Sequence, residues 1–521
     1  MPGSGYVRRG PYAGGVPWPL RILLALLGGV ALWLAFPAHD LWPLAVVGVG
    51  ALASATAGAR IRTGLAAGFL LGLTWYTPMF VWASTYAGVM PWVAMSIASA
   101  LYPAALGGLL ALLQRAGAVR PVVGAAAWVL MEYARSVTPF GGFPWARLGF
   151  SQADSPLLGA VSLVAVAGLG FLVALVGGLL ARAVQLAVGR GAATSLPRAA
   201  MLVAVAIVVT LAPAALPRPT GGDPLDVAAV QGDLPPDFTR TLSAERGTML
   251  ERYTSMTEDL ADEVSSGQAA APDLVIWPEG ASDLDPFSPS EGPSTVEQMM
   301  TGVDALGAPV VLGAVSYGTG EAPRNIVLEL QPGEGVDDTY QKVYLAPFGE
   351  RMPLRPLVRH LSEWVDRLPD WEAGTEPGLM DVRLVDGREV RLGLGICFEV
   401  VVDPAVRDVV AGGAELLVVP TSNAWFGEGD QSAQHIATSR VRAVEYGRSV
   451  VHISNVGISG LISPDGVVHE PTELFTQAVL RDELPLRTDL TPAFATGPWV
   501  VPAAAALVAV GLLVRRRPRA D

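Results

Sequence analysis

The strongest constraint in this sequence is where charge is missing. Through residues 1–216 the only acids are Asp40, Glu132 and Asp154, and apolar runs follow one another with little but arginine between them. The runs lie near 22–38, 41–58, 64–83, 88–113, 121–134, 157–181 and 199–216, with an eighth at 497–514. Most approach the ~20 residues that a helix needs to cross a bilayer. A secretory leader would explain the first run but not the six behind it. Buried helices of a large soluble core would be interrupted by charge far more often, since soluble chains carry roughly 25% charged residues and this one has 16%.

Between 217 and 496 the composition reverses. That stretch holds 44 of the 48 acids and 19 of the 35 basic residues, a net charge of −25, while the rest of the chain carries +12. Three regions follow: a seven-helix transmembrane region at 1–216, an acidic domain at 217–496, and a last membrane helix with a basic tail at 497–521. Cytoplasmic loops accumulate arginine and lysine. Arg8, Arg9 and Arg21 precede the first run, and Arg60 and Arg62 follow the second. Arg115 and Arg120 follow the fourth, Arg182, Arg190 and Arg198 lie between the sixth and seventh, and Arg515, Arg516, Arg517 and Arg519 close the chain. The alternate loops contain only Arg135 and Arg147. This periodicity predicts cytoplasmic termini and an extracytoplasmic acidic domain. Such acidity disfavours a nucleic-acid partner.

Within the acidic region, Val-, Ile- and Leu-rich runs alternate with polar stretches of helical period. Strands are expected at Asp226–Gln231, Leu274–Trp277, Val310–Val315, Ile326–Leu330, Val390–Ile396, Glu415–Val419 and Val450–Ile453. Helices are expected at Ser243–Val264, Thr295–Leu306 and Gln431–Tyr446. The fold class is therefore α/β, with a sheet core and outer helices. About 280 residues suffice to bury a core independently.

Three residues in that domain form a chemical set. Cys397 is the only cysteine, so it cannot serve as an intrachain disulfide staple. It ends an apolar strand, with a short helix expected at Pro404–Val410, and a thiol so placed can be reactive. Lys342 is the only lysine among 35 basic residues. Arginine can replace lysine where charge alone is enough, but not where a compact, tunable ammonium is needed. Glu279 follows an apolar strand in Leu274-Val-Ile-Trp-Pro-Glu279, at a sheet rim where partial burial raises a carboxyl toward the range of a general base. Glu279 can take the thiol proton and Cys397 can attack a carbonyl. Lys342 and the backbone N–H of Phe398 can then stabilise the oxyanion. The five histidines make no convincing pair with the cysteine, and His435 and His452 are assigned structural roles. No metal-ligand spacing and no nucleotide-binding glycine fingerprint occur, so no metal or cofactor is expected.

The ordered set Trp-Pro-Glu279, Tyr-x-Lys342 and Ile-Cys397-x-Glu399 resembles the nitrilase superfamily. Gly142-Phe-Pro-Trp145, Leu148-Gly-Phe-Ser-Gln152, Asp40-Leu-Trp-Pro-Leu-Ala45, Pro347-Phe-Gly-Glu350, Ser422-Asn-Ala-Trp-Phe-Gly427, Gln434-His435 and Arg440-Val-Arg-Ala-Val-Glu445 narrow the resemblance to apolipoprotein N-acyltransferases. It covers nearly the whole chain. It implies an eight-helix transmembrane bundle carrying a nitrilase-like α-β-β-α sandwich outside a bacterial cell membrane.

The resemblance also implies a two-step reaction. The catalytic triad would be Glu279, Lys342 and Cys397, supported by Glu350, Phe398 and Glu399. Cys397 would take an acyl chain from a membrane phospholipid as a thioester. The α-amine of a diacylglyceryl-cysteine apolipoprotein would then receive it as an amide. Phe398 stands where the family often has tyrosine and Tyr344 where histidine is common, and Phe238 is the nearest match to a family aromatic residue. A membrane-tethered amide hydrolase using water as acceptor is the competing expectation, and a noncatalytic scaffold a third. The polytopic N-terminal half argues against the hydrolase, and retention of all three triad residues argues against the scaffold.

Past Glu350, the residues Leu357, Leu361, Trp364, Val365 and Leu368 fall on one face at helical spacing. This predicts an amphipathic helix that either docks on its own domain or rests at the bilayer and gates acyl-chain entry.

Overall fold

The structure, a computed structural model, describes residues 16–189, 192–234, 246–317, 320, 322–360 and 363–514. Arg8, Arg9, Arg190, Phe238, Leu361 and the arginines at 515–519 lie outside that description. Apolar helices fill the first part: Trp18–Leu34 (α1), Pro43–Thr56 (α2), Ile61–Met79 (α3), the short Ala83–Ala87 (α4), Val89–Leu113 (α5), Pro121–Val137 (α6), Val161–Val188 (α7) and Ala192–Leu211 (α8). Pro is favoured in a first helical turn, where its missing N–H costs nothing, and α1, α2 and α6 each start with one. Small residues let α3 and α5 approach closely: a Cβ on Gly68 would run into the carbonyl of Pro103. Among the described residues, four helical segments are long and apolar enough to cross a membrane: Val89–Leu113, Pro156–Val188, Ala192–Ala215 and Pro492–Val514. Trp18–Leu34 and Pro43–Thr56 are apolar but shorter. Val188, Val208, Trp499 and Val510 are exposed on this set, an apolar surface that suits lipid rather than water.

Charges inside the helical part serve the loop after α6. Glu132 accepts from Trp128 Nε1 (3.3 Å) and from the Leu148 amide (2.7 Å). Arg135 donates to the carbonyls of Phe143 and Trp145. Ionisable groups are expensive at such positions unless paired, and three of these bonds hold residues 143–148 against α6. Helix α7 is interrupted at Ala165, whose φ is 59°.

The remaining helices among the described residues are Thr248–Ser265 (α9), Gly292–Leu306 (α10), Arg355–Val358 (α11), Asp403–Ala411 (α12), Gln431–Tyr446 (α13) and Pro492–Val514 (α14). They accompany twelve described strands. β1 (Asp223–Gln231), β2 (Leu274–Ile276), β3 (Val310–Ser316), β4 (Arg324–Gln331) and β5 (Gly335–Gln341) form one six-stranded sheet with β12 (Ala478–Leu486), in the order β12-β1-β2-β3-β4-β5. β6 (Leu379–Arg383), β7 (Glu389–Leu394), β8 (Leu416–Thr421), β9 (Ser449–Ser454), β10 (Gly460–Ile462) and β11 (Val468–His469) form the second, in the order β11-β10-β9-β8-β7-β6.

Alternation along the strands separates the cores. Val227, Leu274, Val327, Leu392, Val418 and Val451 meet between the two sheets. Val230, Val275 and Leu312 face the other way, onto Leu250 and Tyr253 of α9 and Met299 of α10. The outer side of the second sheet shares one apolar cluster with α12, α13 and the membrane helices. β12 returns to pair antiparallel with β1, setting Asp223 opposite Leu486. The chain therefore enters and leaves this region at one place, directly below α8 and α14.

The expected strands and helices are present with ends displaced by a few residues. Among the described residues, the helix expected near 357–368 is not continuous. One helical turn at Arg355–Val358 and a 3-10 turn at Glu363–Asp366 flank the residues outside the description. Leu357 is exposed and Val365 buried, so these two do not share one face.

Candidate active site

Glu279, Lys342 and Cys397 come from three strand ends and converge at one rim of the paired sheets. Glu279 lies just past β2, where the chain crosses β3 so closely that a Cβ on Gly313 would sit 2.6 Å from the Glu279 Cα. Its Oε1 accepts from Asn325 Nδ2 (2.6 Å) and its Oε2 from the Ser422 amide (2.7 Å). Lys342 follows β5, and its amide donates to the Asn325 carbonyl (2.9 Å). The ammonium is buried, 2.8 Å from Glu350 Oε1 and 3.7 Å from Glu279 Oε1. Asn325 Nδ2 also donates to Glu350 Oε1 (3.0 Å), so one amide nitrogen serves two carboxylates. The other Glu350 oxygen accepts from the Ala346 amide (2.8 Å).

Cys397 opens the 3-10 turn Cys397–Val401 after β7 with φ 52°, the left-handed region that few non-glycine residues occupy. Backbone strain of this kind collects at functional sites, held by its surroundings. Its residue surface is only partly covered. Glu399, two residues on, is fully buried. Its Oε1 accepts from the amides of Val343 and Tyr344 (2.9 Å each), its Oε2 from the Ile396 amide (2.8 Å), and both from Tyr340 Oη (2.9 Å). Glu399 thus ties the segment bearing Lys342 to the segment bearing Cys397. Glutamine there would turn an amide NH₂ toward donors and strand at least one backbone N–H, at a cost of ~1–3 kcal/mol. Glu399→Gln is therefore expected to lower the melting temperature of the purified protein by several degrees; an unchanged melt would remove Glu399 as the tie.

Burial sets the protonation states. It raises the Glu279 carboxyl, with Glu350 adding to the rise and Lys342, Asn325 and the Ser422 amide opposing it. Burial alone would lower the Lys342 pKa, but Glu350 and Glu279 outweigh it and raise the pKa, so the cation persists. The Cys397 thiol is pushed up to about 12, by burial first and then by the Glu279 carboxylate. The resting group is therefore a thiol beside an acceptor carboxylate of raised basicity, with a fixed cation nearby. Attack on a carbonyl, proton transfer to the carboxylate and neutralisation of the developing oxyanion all fit this arrangement.

Several participants carry no catalytic signal in the sequence. Asn325 lies in a strand that also carries Arg324, Glu329 and Gln331, so its polarity alone does not single it out. Ser422 contributes a backbone amide, which no side-chain pattern reveals. His435 is buried on α13, and its Nε2 lies 3.0 Å from the Cys397 carbonyl. A carbonyl only accepts, so this contact is a hydrogen bond in the Nε2–H tautomer, in which Nδ1 can accept from Thr421 Oγ1. Burial lowers this imidazole to about 4 and keeps it neutral. Its Nδ1 lies 3.3 Å from Thr421 Oγ1 and 3.2 Å from Asn423 Oδ1. Phe398 stacks on Phe143 of the helical part, with centroids 5.9 Å apart.

Residues 226–488 match the family model for carbon-nitrogen hydrolases, and residues 28–179 match that for the apolipoprotein N-acyltransferase N-terminal domain. A protein of Mycolicibacterium smegmatis named apolipoprotein N-acyltransferase is 36% identical over 94% of this chain and 84% of its own length. One of the same name from Geobacter metallireducens is 31% identical over 89% of each chain. A solved amidase from Nesterenkonia sp. is similar over 53% of this chain and 94% of its own, at 19% identity and a TM-score of 0.37. Match to the N-terminal domain model disfavours the hydrolase expectation, because that model describes the N-terminal domain of apolipoprotein N-acyltransferases. By its extent of identity with the relatives from M. smegmatis and G. metallireducens, this chain belongs to the apolipoprotein N-acyltransferase family.

Proposed function

We propose that this membrane protein transfers an acyl chain from a phospholipid to the N-terminal α-amine of a diacylglyceryl-cysteine lipoprotein, through a thioester on Cys397. In the first half-reaction the sulfur attacks an ester carbonyl of the lipid, and Glu279 takes the thiol proton. The tetrahedral oxyanion is met by the Lys342 ammonium and the Phe398 N–H. Its collapse breaks the ester C–O bond, and the proton on Glu279 goes to the departing alkoxide, releasing lysophospholipid. In the second half the α-amine attacks the thioester and surrenders a proton to Glu279. The C–S bond breaks, and the thiol is restored. Glu350 holds Lys342 in place, and Glu399 holds the two segments in register. The observation that carries this reading is the convergence of one carboxylate of raised basicity, one buried ammonium and one cysteine that is partly buried as a residue.

We read the fold as an α-β-β-α sandwich on an eight-helix transmembrane bundle, divided at 1–216, 217–496 and 497–521. Alternation of arginine-rich loops supports cytoplasmic termini and an extracytoplasmic catalytic domain. Phospholipid and lipoprotein both present their reacting groups at that membrane surface.

The test is intact-mass measurement of purified protein incubated with phospholipid and no acceptor. A single acyl-sized increment is expected, released by hydroxylamine and absent from Cys397→Ala. A protein that gains no increment while lysophospholipid fails to accumulate would overturn the reading.

A further inference from the structure

The turn that carries Cys397 is gripped from one helix. His435, early on α13, donates from Nε2 to the carbonyl of Cys397 (3.0 Å). Seven residues later on the same helix, Arg442 donates from Nε to the carbonyl of Val400 (2.9 Å) and from Nη2 to that of Val401 (3.2 Å). Both side chains are fully buried. The helix is held in turn by the membrane half. Trp145 packs on the His435 ring with centroids 5.4 Å apart and donates from Nε1 to Gln434 Oε1 (2.8 Å). Arg147 pairs with Asp403 at 2.7 Å. Glu445 accepts the Val166 amide (2.9 Å), just past the break at Ala165.

The Cys397 carbonyl and the Phe398 N–H belong to one peptide unit. That unit is planar, and in its trans form the two groups point in opposite directions. A bond that fixes the carbonyl therefore fixes where the N–H aims. The left-handed φ of Cys397 makes such an anchor necessary, since this backbone region is costly for a residue with a Cβ.

We propose that His435 is a positioning residue for acyl transfer: by holding the Cys397 carbonyl it aims the Phe398 N–H at the oxyanion, while Trp145 of the membrane half holds His435. This rests on the acyl-transfer reading above and adds that the membrane half helps shape the oxyanion site. His435 itself touches neither lipid nor sulfur.

The experiment separates aiming from folding and from thiol reactivity. Full-length protein in detergent is given dioleoylphosphatidylethanolamine, and formation of the Cys397 acyl adduct is timed by intact mass across lipid concentrations. In parallel, the same proteins are alkylated with iodoacetamide, a displacement at carbon that develops no oxyanion. His435→Ala is expected to slow maximal acylation by about 10²-fold, the size of losing one oxyanion donor. The half-saturating lipid concentration should stay within about threefold of wild type, because ground-state binding is untouched. Alkylation should change by less than about threefold, whereas glutamine, whose amide NH₂ can replace Nε2–H, should restore acylation to within about tenfold of wild type.

Acylation unaffected in His435→Ala, acylation and alkylation falling together, or glutamine no better than alanine would each overturn the proposal. Wild-type protein that is alkylated normally but gains no acyl adduct would instead overturn the acyl-transfer reading on which it stands.

Discussion

Cys397→Ala is expected to remove phospholipid-dependent acylation of a lipoprotein substrate by roughly 10⁴-fold or more, the scale seen when a covalent nucleophile is deleted. The loss should be complete in both halves, because an amine cannot collect an acyl group that was never stored. Cys397→Ser tests the same chemistry more finely. The thiol is already held up to about 12 by burial and by Glu279, and an alcohol is a still weaker acid. A carboxylate base that can accept a proton from sulfur will not generate useful alkoxide, so serine should sit near alanine rather than near wild type. The reading also fixes a pH dependence. Glu279 must be ionised to act, and burial raises its carboxyl above the ordinary value. The acid limb of the acylation rate should therefore lie above ~4.3, the pKa of a free glutamate. The measurement is single-turnover acyl-adduct formation against pH; a limb at or below that value would separate Glu279 from the proton transfer. Residual transfer in Cys397→Ala would show that the acyl chain passes directly from lipid to amine.

Much of the fold is legible because two kinds of pattern dominate. Apolar runs broken by arginine mark helices such as Pro121–Val137 to within three residues and Val161–Val188 to within seven. Continuous apolar runs mark strands buried on both faces, as at Val310–Ser316 and Ser449–Ser454. Four of the five missed strands are at the sheet edges, and the fifth, Gly460–Ile462, is a three-residue strand inside the second sheet. Gly335–Gln341 carries Asp337, Asp338 and Thr339 exposed, and Ala478–Leu486 alternates charge with Leu480 and Leu484. Polar residues suit an edge strand, where they discourage further pairing, yet they hide it from a reading based on apolar content. At 351–368 the period is helical, but the described residues form only one helical turn at Arg355–Val358 and a 3-10 turn at Glu363–Asp366.

The candidate site divides in the same way. Cys397 and Lys342 were conspicuous by scarcity and Glu279 by its place at a strand end, and the structure brings all three together with Glu350 and Glu399. Their surroundings could not be read so directly. Asn325 bridges two carboxylates across a gap between strands, and His435 reaches a backbone carbonyl 38 residues away in sequence. These contacts depend on tertiary placement, and no local spacing encodes them.

Lys342 is where charge and shape can be separated experimentally. Its ammonium sits between Glu350 Oε1 (2.8 Å) and Glu279 Oε1 (3.7 Å) with almost no exposed surface. The two carboxylates also share Asn325 Nδ2, so they are held close whatever occupies position 342. Lys342→Met removes the cation and leaves two buried negative charges together. Breaking a buried pair in this way costs about 3–5 kcal/mol, and the cheapest relief is for one carboxyl to bind a proton. The base would then be blocked and the oxyanion unaccompanied, so acylation should fall by about 10³-fold or more. Lys342→Arg keeps the charge but not the fit. A guanidinium is planar, larger and unable to approach both carboxylates and an oxyanion as a compact point charge does. Forcing it into a packed site costs ~1–3 kcal/mol, and acylation should still fall by about 10²-fold. The two variants are compared by the rate of hydroxylamine-sensitive acyl-adduct formation and by melting temperature. Methionine should lose the adduct, and arginine should lose most of it while remaining folded. An arginine variant that acylates at the wild-type rate would mean that position 342 supplies charge alone, and the scarcity of lysine in this chain would then say nothing about catalysis.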